Sequence, residues 1–178
     1  INANNYAITV NMQNLTVAGN TGGQPADTKI IHGNGANTLN LNINNCIFYN
    51  EIGTYIYTGT GTVNINRGYT ILNDNSIQGS GYMGNLDNTE PLLGAFGFWG
   101  GPTPTIKLTS TSPAVNTGTT MFEAPLTDQR GAYREGAVDM GAYELRTPLS
   151  GEYYICKTTS ANYPTGNIFN TFDDAINA

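Results

Sequence analysis

Charge is what this sequence has least of. Only 11 % of its 178 residues are Asp, Glu, Lys or Arg, under half of the roughly 25 % of an ordinary soluble domain. Lys and Arg number 7 against 13 Asp and Glu, for a net charge of −6 and an isoelectric point near 4.5. So few cations offer little to neutralise a phosphate backbone, which argues against nucleic-acid partners. No apolar run approaches the ~20 residues of a membrane-spanning helix, so no membrane insertion by this segment is expected. Reactive side chains are scarce as well: one His, two Cys and one Trp. Neither an EF-hand nor a nonapeptide calcium pattern is present, and no cofactor is expected, although the acidic balance would tolerate calcium in loops.

Good helix formers are also short. The polar share falls to Asn and Thr, about two dozen each, and to 22 Gly. All three are poor helix formers, which excludes long helical bundles. Hydrophobic residues still make up 39 %, enough for the core of one domain of usual size. The chain opens Ile1-Asn2-Ala3-Asn4 with no initiator Met, basic region or apolar signal core. It closes Thr171-Phe-Asp173-Asp174, an N-cap and first turn of a helix. Both ends read as cuts within a larger protein.

What the chain has is repetition. Val10-Asn-Met12-Gln-Asn14-Leu15-Thr-Val17, Leu41-Asn-Ile43-Asn-Asn45-Cys46-Ile-Phe48 and Val63-Asn-Ile65-Asn-Arg67-Gly68-Tyr69-Thr-Ile71 share one pattern. Apolar residues alternate at period two, a polar corner follows, and alternation resumes, as in short strands with one buried face. Asn at the corner tolerates the left-handed backbone a sharp bend needs. The pattern predicts an all-β solenoid, a parallel β-helix, with residues stacked coil on coil. Val10, Leu41 and Val63 form one expected stack, Val17, Phe48 and Ile71 another, and Leu15, Cys46 and Tyr69 a third. Asn14 over Asn45 forms an amide ladder. Segments 18–27 and 53–61 are expected as loops. An antiparallel sandwich also yields short strands and Gly-rich turns; the repeated corner Asn favours the solenoid.

A different text begins near Asp87: Glu90-Pro91-Leu92-Leu93, Gly100-Gly101-Pro-Thr103-Pro-Thr105, Ser112-Pro113-Ala114, Asp128-Gln-Arg130-Gly131, and Val138-Asp139-Met-Gly141-Ala-Tyr143-Glu144. This succession resembles the C-terminal end of right-handed parallel β-helix domains, pectin-lyase-like in fold, in large bacterial secreted and cell-surface proteins of the choice-of-anchor or polymorphic outer-membrane type. Glu90 stands where that pattern has Asp, and Trp99 where it has Asn. The resemblance spans residues 87–146 and implies an extracellular or cell-surface location. It divides the chain into last coils (1–86), a cap (87–146), and a linker with the start of another module (147–178).

The cap residues carry the densest chemistry. Asp128, Arg130, Arg134, Asp139 and Glu144 read as an internal tie, with Arg130 or Arg134 paired to Asp128 or Asp139. Paired carboxylates can also serve acid–base catalysis, but these sit among glycines in a closing segment. Residues 1–86 have too few acids and cations, among them Asp27, Glu51, Asp74, Lys29 and Arg67, to stack into a lyase constellation. His32 has no suitably spaced metal partner. Cys46 reads as a buried apolar residue, and a bridge to Cys156 would span two modules. Tyr49, Tyr55, Tyr57, Tyr82 and Trp99 are candidate sugar-stacking aromatics, with Tyr49 pointing outward where Phe48 points in. Asn14-Leu15-Thr16 matches the N-glycosylation pattern, though the corner role suits Asn14 better. The resulting expectation is a structural or adhesive, non-enzymatic segment that forms a stiff rod and presents loops to surface glycans or cell-surface and secretion proteins. The alternatives are the non-catalytic end of a polysaccharide-active lyase or hydrolase, and a glycan-binding module.

Overall fold

The computed structural model describes residues 7–20, 31–33, 38–49, 56–58, 61–73, 77, 80–81, 83–134, 136–146, 154–155 and 168–169. In chain order the strands are β1 (Ile8–Gln13), β2 (Thr16–Ala18), β3 (Ile31–Gly33), β4 (Thr38–Asn44), β5 (Ile47–Tyr49), β6 (Ile56–Thr58), β7 (Thr62–Gly68), β8 (Ile71–Leu72), β9 (Ser80–Gly81), β10 (Leu93–Gly97), β11 (Thr105–Leu108), β12 (Tyr154–Ile155) and β13 (Ile168–Phe169). The described residues are β-rich without a helix.

Most pairing is parallel. One sheet runs β1-β4-β7-β9, a second β2-β5-β8 and a third β3-β6. Each sheet therefore takes strands from successive passes of the chain in the same order. β10 and β11 form a separate antiparallel pair, and β12 pairs with β13 in parallel.

The first two passes stack as the repeats require. Val10 lies beside Leu41, Val17 beside Phe48, and Asn14 and Asn45 hold the same corner at φ 50° and 52°. The third pass corrects the expectation. Leu41 pairs with Ile65, not Val63, which stands beside Leu39. Phe48 pairs with Leu72, not Ile71, which stands beside Ile47. The third corner is then Tyr69, left-handed at φ 52°. Matching apolar letters slid this copy out of phase, because its inward row ends in a charge. Arg67 pairs with Ile43 and continues the row of Met12 and Ile43. Its side chain is only 7 % exposed, and both Nη atoms donate to the Asp87 carboxylate at 2.5 and 2.6 Å. The proposed Leu15–Cys46–Tyr69 stack fails too. Leu15 is 39 % exposed, while Cys46 is fully buried and burial pushes its thiol up to about 12.

Two cores result. Leu41, Ile43, Cys46, Phe48 and Leu72 pack into one buried cluster. Ile47 and Ile71, on the opposite face of the second sheet, are equally buried, against Leu108, Ala114, Met140 and Tyr143. The second sheet is therefore covered on both sides. Each Leu, Ile, Phe or Met among them contributes about 1.5–3 kcal/mol by leaving water.

Strands β3 and β6 were not legible. Residues 53–61 read as a loop, yet Ile56–Thr58 pairs with Ile31–Gly33, bringing Tyr57 into register with His32. Outside the corner, Asn side chains form further ladders on the exposed face of the first sheet. Asn66 donates to Asn42 at 3.2 Å and Asn42 to Asn11 at 2.8 Å, while Asn64 donates to Asn40 at 2.9 Å. Each amide satisfies its neighbour, so this face needs little charge.

Candidate functional site

The acidic and basic residues of segment 128–144 gather into one clasp. Asp128 turns the chain. Its Oδ1 accepts from the amides of Arg130 at 2.8 Å and Ala132 at 3.2 Å. Its Oδ2 accepts from the Glu144 amide at 2.9 Å and from Arg130 Nε at 2.8 Å. Arg130 also donates to the Glu144 carbonyl at 2.6 Å and lays its guanidinium 3.7 Å from the centre of the Tyr143 ring. Gly101 lets this arginine approach, since a Cβ there would stand 2.8 Å from Arg130 Cα.

Arg134 chooses a partner the sequence did not suggest. Its Nη1 meets Glu144 Oε2 at 2.8 Å, and its other contacts are the carbonyls of Asp139 and Gly141. Both members of the pair are almost wholly buried. The Asp139 carboxylate, fully buried, instead accepts the amides of Asn116 at 2.7 Å and Leu145 at 2.5 Å. Burial raises the pKa of Asp139 and of Glu144 above the ordinary carboxyl values. Backbone amides and Arg134 pull the other way without cancelling it. Aspartate and glutamate are needed here because each carboxylate holds several donors from separate pieces of chain. The oxygens are engaged in fixing the backbone, and Asp128 and Asp139 lie buried behind it.

The clasp is docked on the corner asparagines. Asn14 Nδ2 donates to the Asp139 carbonyl at 3.3 Å. Asn45 Nδ2 reaches the Thr119 carbonyl at 2.7 Å and, at 3.4 Å, Asn14 Oδ1, so the expected ladder is present but long. The Asn45 carbonyl accepts the Gly141 amide at 2.7 Å, and Thr16 Oγ1 accepts the Ala142 amide at 3.0 Å. Segment 114–144 thus runs along the flank of the first two passes. The carbonyls of Met83 and Leu86 continue the last pass by accepting the amides of Tyr69 and Leu72. The engagement of Asn14 and Thr16 also accounts for the glycosylation-like triplet, whose asparagine is only 5 % exposed.

The aromatic candidates separate. Tyr49 is half-buried and faces the same side as Ile47. Trp99 donates from its indole to the Ala95 carbonyl at 2.9 Å, and Lys107 Nζ stands 4.0 Å from its ring centre, so its approach is restricted. Tyr57 lies in β6, and only its backbone pairing is described. Tyr55, Tyr82, Cys156 and the Thr171 helix start lie outside the described residues. Among the described residues no group of three or more His, Cys, Asp and Glu is placed to hold a metal ion. The exposed Asn ladders and the Arg67–Asp87 pair were missed at the sequence level. The recurring Asn-x-Asn in each copy was the available signal for the ladders. No family model matches the chain, and no curated protein or solved structure is significantly similar to it.

Proposed function

We propose that the chain is the terminal part of a right-handed parallel β-helix in a large secreted or surface-anchored bacterial protein, where it serves as a stiff structural and adhesive segment. The observation that carries this reading is the common register of the first two parallel sheets, in which three successive passes present the same position to the same neighbour. A coil of that kind hydrogen-bonds its backbone from pass to pass and gains length by adding passes. The flank-docked segment supports the same role. It ties the first two passes together through Asn14, Thr16 and Asn45, so the passes resist being peeled apart. The resemblance of residues 87–146 to β-helix ends of surface proteins supplies the location.

The test is the native polypeptide. Its mass and flanking sequence are determined, and intact cells are shaved with protease. Further strand–corner–strand segments and release of peptides from this chain are expected. Flanks without such segments, or peptides recovered only after lysis, overturn the reading.

A further inference from the structure

One row of amides on the outward face of the first sheet is broken. Alternation puts Asn11 and Gln13 of β1 on the same face as Asn42 and Asn44 of β4, with Asn11 beside Asn42 and Gln13 beside Asn44. In the Asn42 row, Asn66 of the third pass supplies a donor. In the Asn44 row the third pass has Gly68, with no side chain to supply one. Asn44 Oδ1 is buried without a donor, and Gln13 Nε2 is buried without an acceptor. Asn44 as a whole is only 8 % exposed. Buried polar atoms are nearly always paired, because leaving one unpaired is costly. Both residues line one groove of about 420 Å³, within the size range of small-ligand sites.

Segment 121–123 forms the facing wall, held close by the paired bonds between Asn45 and Thr119. Met121 and Phe122 make that wall apolar, and Glu123 adds an exposed carboxylate. Asn11 and Asn42 bond each other in the ladder, so the unpaired atoms of Gln13 and Asn44 select the ligand. They call for one donor and one acceptor at neighbouring positions. An ammonium brings no acceptor. A carboxylate brings no donor, faces Glu123, and finds no Lys, Arg or His in the lining among the described residues. A hydroxyl brings both but leaves the apolar wall unmatched. An acetamido group brings an N–H, a carbonyl and a methyl. An extended peptide also carries amides, but it binds through a free sheet edge. The groove lies over the face of β1 and β4, and β4 is paired on both sides by β1 and β7. We propose that the groove binds an N-acetylated hexosamine of a glycan. Its acetamido N–H donates to Asn44 Oδ1, its carbonyl accepts from Gln13 Nε2, and its methyl lies against Met121 and Phe122. Binding turns both side-chain amides toward the sugar. The inference rests on the adhesive part of the reading above and names what the segment holds.

The experiment titrates the whole chain with tri-N-acetylchitotriose and with three analogues. Cellotriose has the same rings without the acetamido group, the glucosamine trimer has an ammonium in its place, and N-methylacetamide has the amide without the sugar. Binding is read by calorimetry and by the side-chain amide signals of Gln13 and Asn44 in NMR. The acetylated trisaccharide is expected to bind at least about tenfold more tightly than each analogue. Gln13→Met and Asn44→Leu keep the side-chain shape and remove one unpaired atom each. Each should weaken binding at least about fivefold without lowering the urea midpoint, a combination that a merely structural role would not give. If Asn44→Leu fails to fold, Gln13→Met carries the test alone. Asn64→Ala, in a ladder outside the groove, should leave binding unchanged. No binding of the acetylated sugar overturns the inference. So does cellotriose, the glucosamine trimer or N-methylacetamide binding as tightly, or affinity indifferent to Gln13→Met. None of these results alters the mass and flanking-sequence test, so the rod reading fails or survives separately.

Discussion

Asn45 and Thr119 bond each other twice. The Thr119 amide donates to Asn45 Oδ1 at 2.9 Å, and Asn45 Nδ2 donates to the Thr119 carbonyl at 2.7 Å. The side chain thus pairs with the backbone as one strand pairs with another, joining residues 74 positions apart. Asn45 does this from a left-handed corner, fully buried. Asn45→Ala removes both bonds and leaves a side chain in a strained φ, with an expected cost of about 3 kcal/mol in urea unfolding. Asn45→Gly relieves the φ but not the lost bonds and should fall between. Equal stability of alanine and glycine variants would show that the corner carries no strain.

Two glycines separate docking from backbone strain. Gly141 has φ 94°, and a Cβ there would come within 2.6 Å of Thr16 Oγ1 and 2.8 Å of Ile47 Cδ1. Gly131 has a similar φ of 88° with nothing within 4 Å. Gly131→Ala is expected to cost about 1–2 kcal/mol through the backbone alone. Gly141→Ala is expected to cost about 3 kcal/mol or more and to raise hydrogen exchange at the Ala142 amide. Similar losses at both sites would mean that the flank segment is not wedged against the second sheet.

The inward arginine predicts an asymmetry between partners. Asp87→Ala leaves the buried Arg67 guanidinium without its carboxylate and should cost about 2–4 kcal/mol, discounted because the Asp87 side chain is 34 % exposed. Arg67→Met continues the row of Met12 and Ile43 with a side chain of matching shape and removes Arg67 Nε, which lacks a partner. Its expected cost is under about 1.5 kcal/mol. The reverse ranking in urea unfolding would mean that the ion pair itself, and not the burial of the row, holds the last pass.

The clasp carboxylates set a pH dependence of unusual sign. Asp139 and Glu144 have folded-state pKa values above the unfolded references of 3.8 and 4.5. The folded chain therefore holds protons that the unfolded chain releases. Their contribution is fully present below the unfolded values of 3.8 and 4.5 and is lost as pH rises from there through the raised folded values. Urea unfolding from about pH 4.5 to pH 7 should show this share of stability falling toward neutrality. Glu144→Gln, which keeps an acceptor for the Asp139 amide, should flatten the slope. A slope of the same size in that variant would exclude Glu144 as its source.

The first two passes could be read from letters because alternation and the corner asparagine coincide in them. The third could not, since Arg67 occupies an apolar position and its carboxylate partner lies 20 residues on. Periodicity has no sign for a charge that is buried by pairing. Likewise Ile31–Gly33 and Ile56–Thr58 are too short, and too embedded in Gly and Thr, to alternate visibly. The clasp members were evident as a group from their motif. Their partners were not: Arg134 on Glu144, and Asp139 on backbone amides, depend on turns that bring residues 116 and 145 to one carboxylate. Ile71, expected beside Phe48, stands beside Ile47 for a related reason. A strand buried on both faces gives no polar phase to read.

The exposed row Asn66–Asn42–Asn11 has a sense. Each amide nitrogen hands its hydrogen to the oxygen of the preceding pass, and never the reverse. The small dipoles of the side chains therefore point one way, like beads strung on a thread. Such a row distinguishes its two ends chemically: Asn66 presents its acceptor oxygen, and Asn11 presents its donor N–H. A strand laid alongside Asn11 extends the row only if it brings an oxygen to that place, so the row is a one-way template that accepts its own kind.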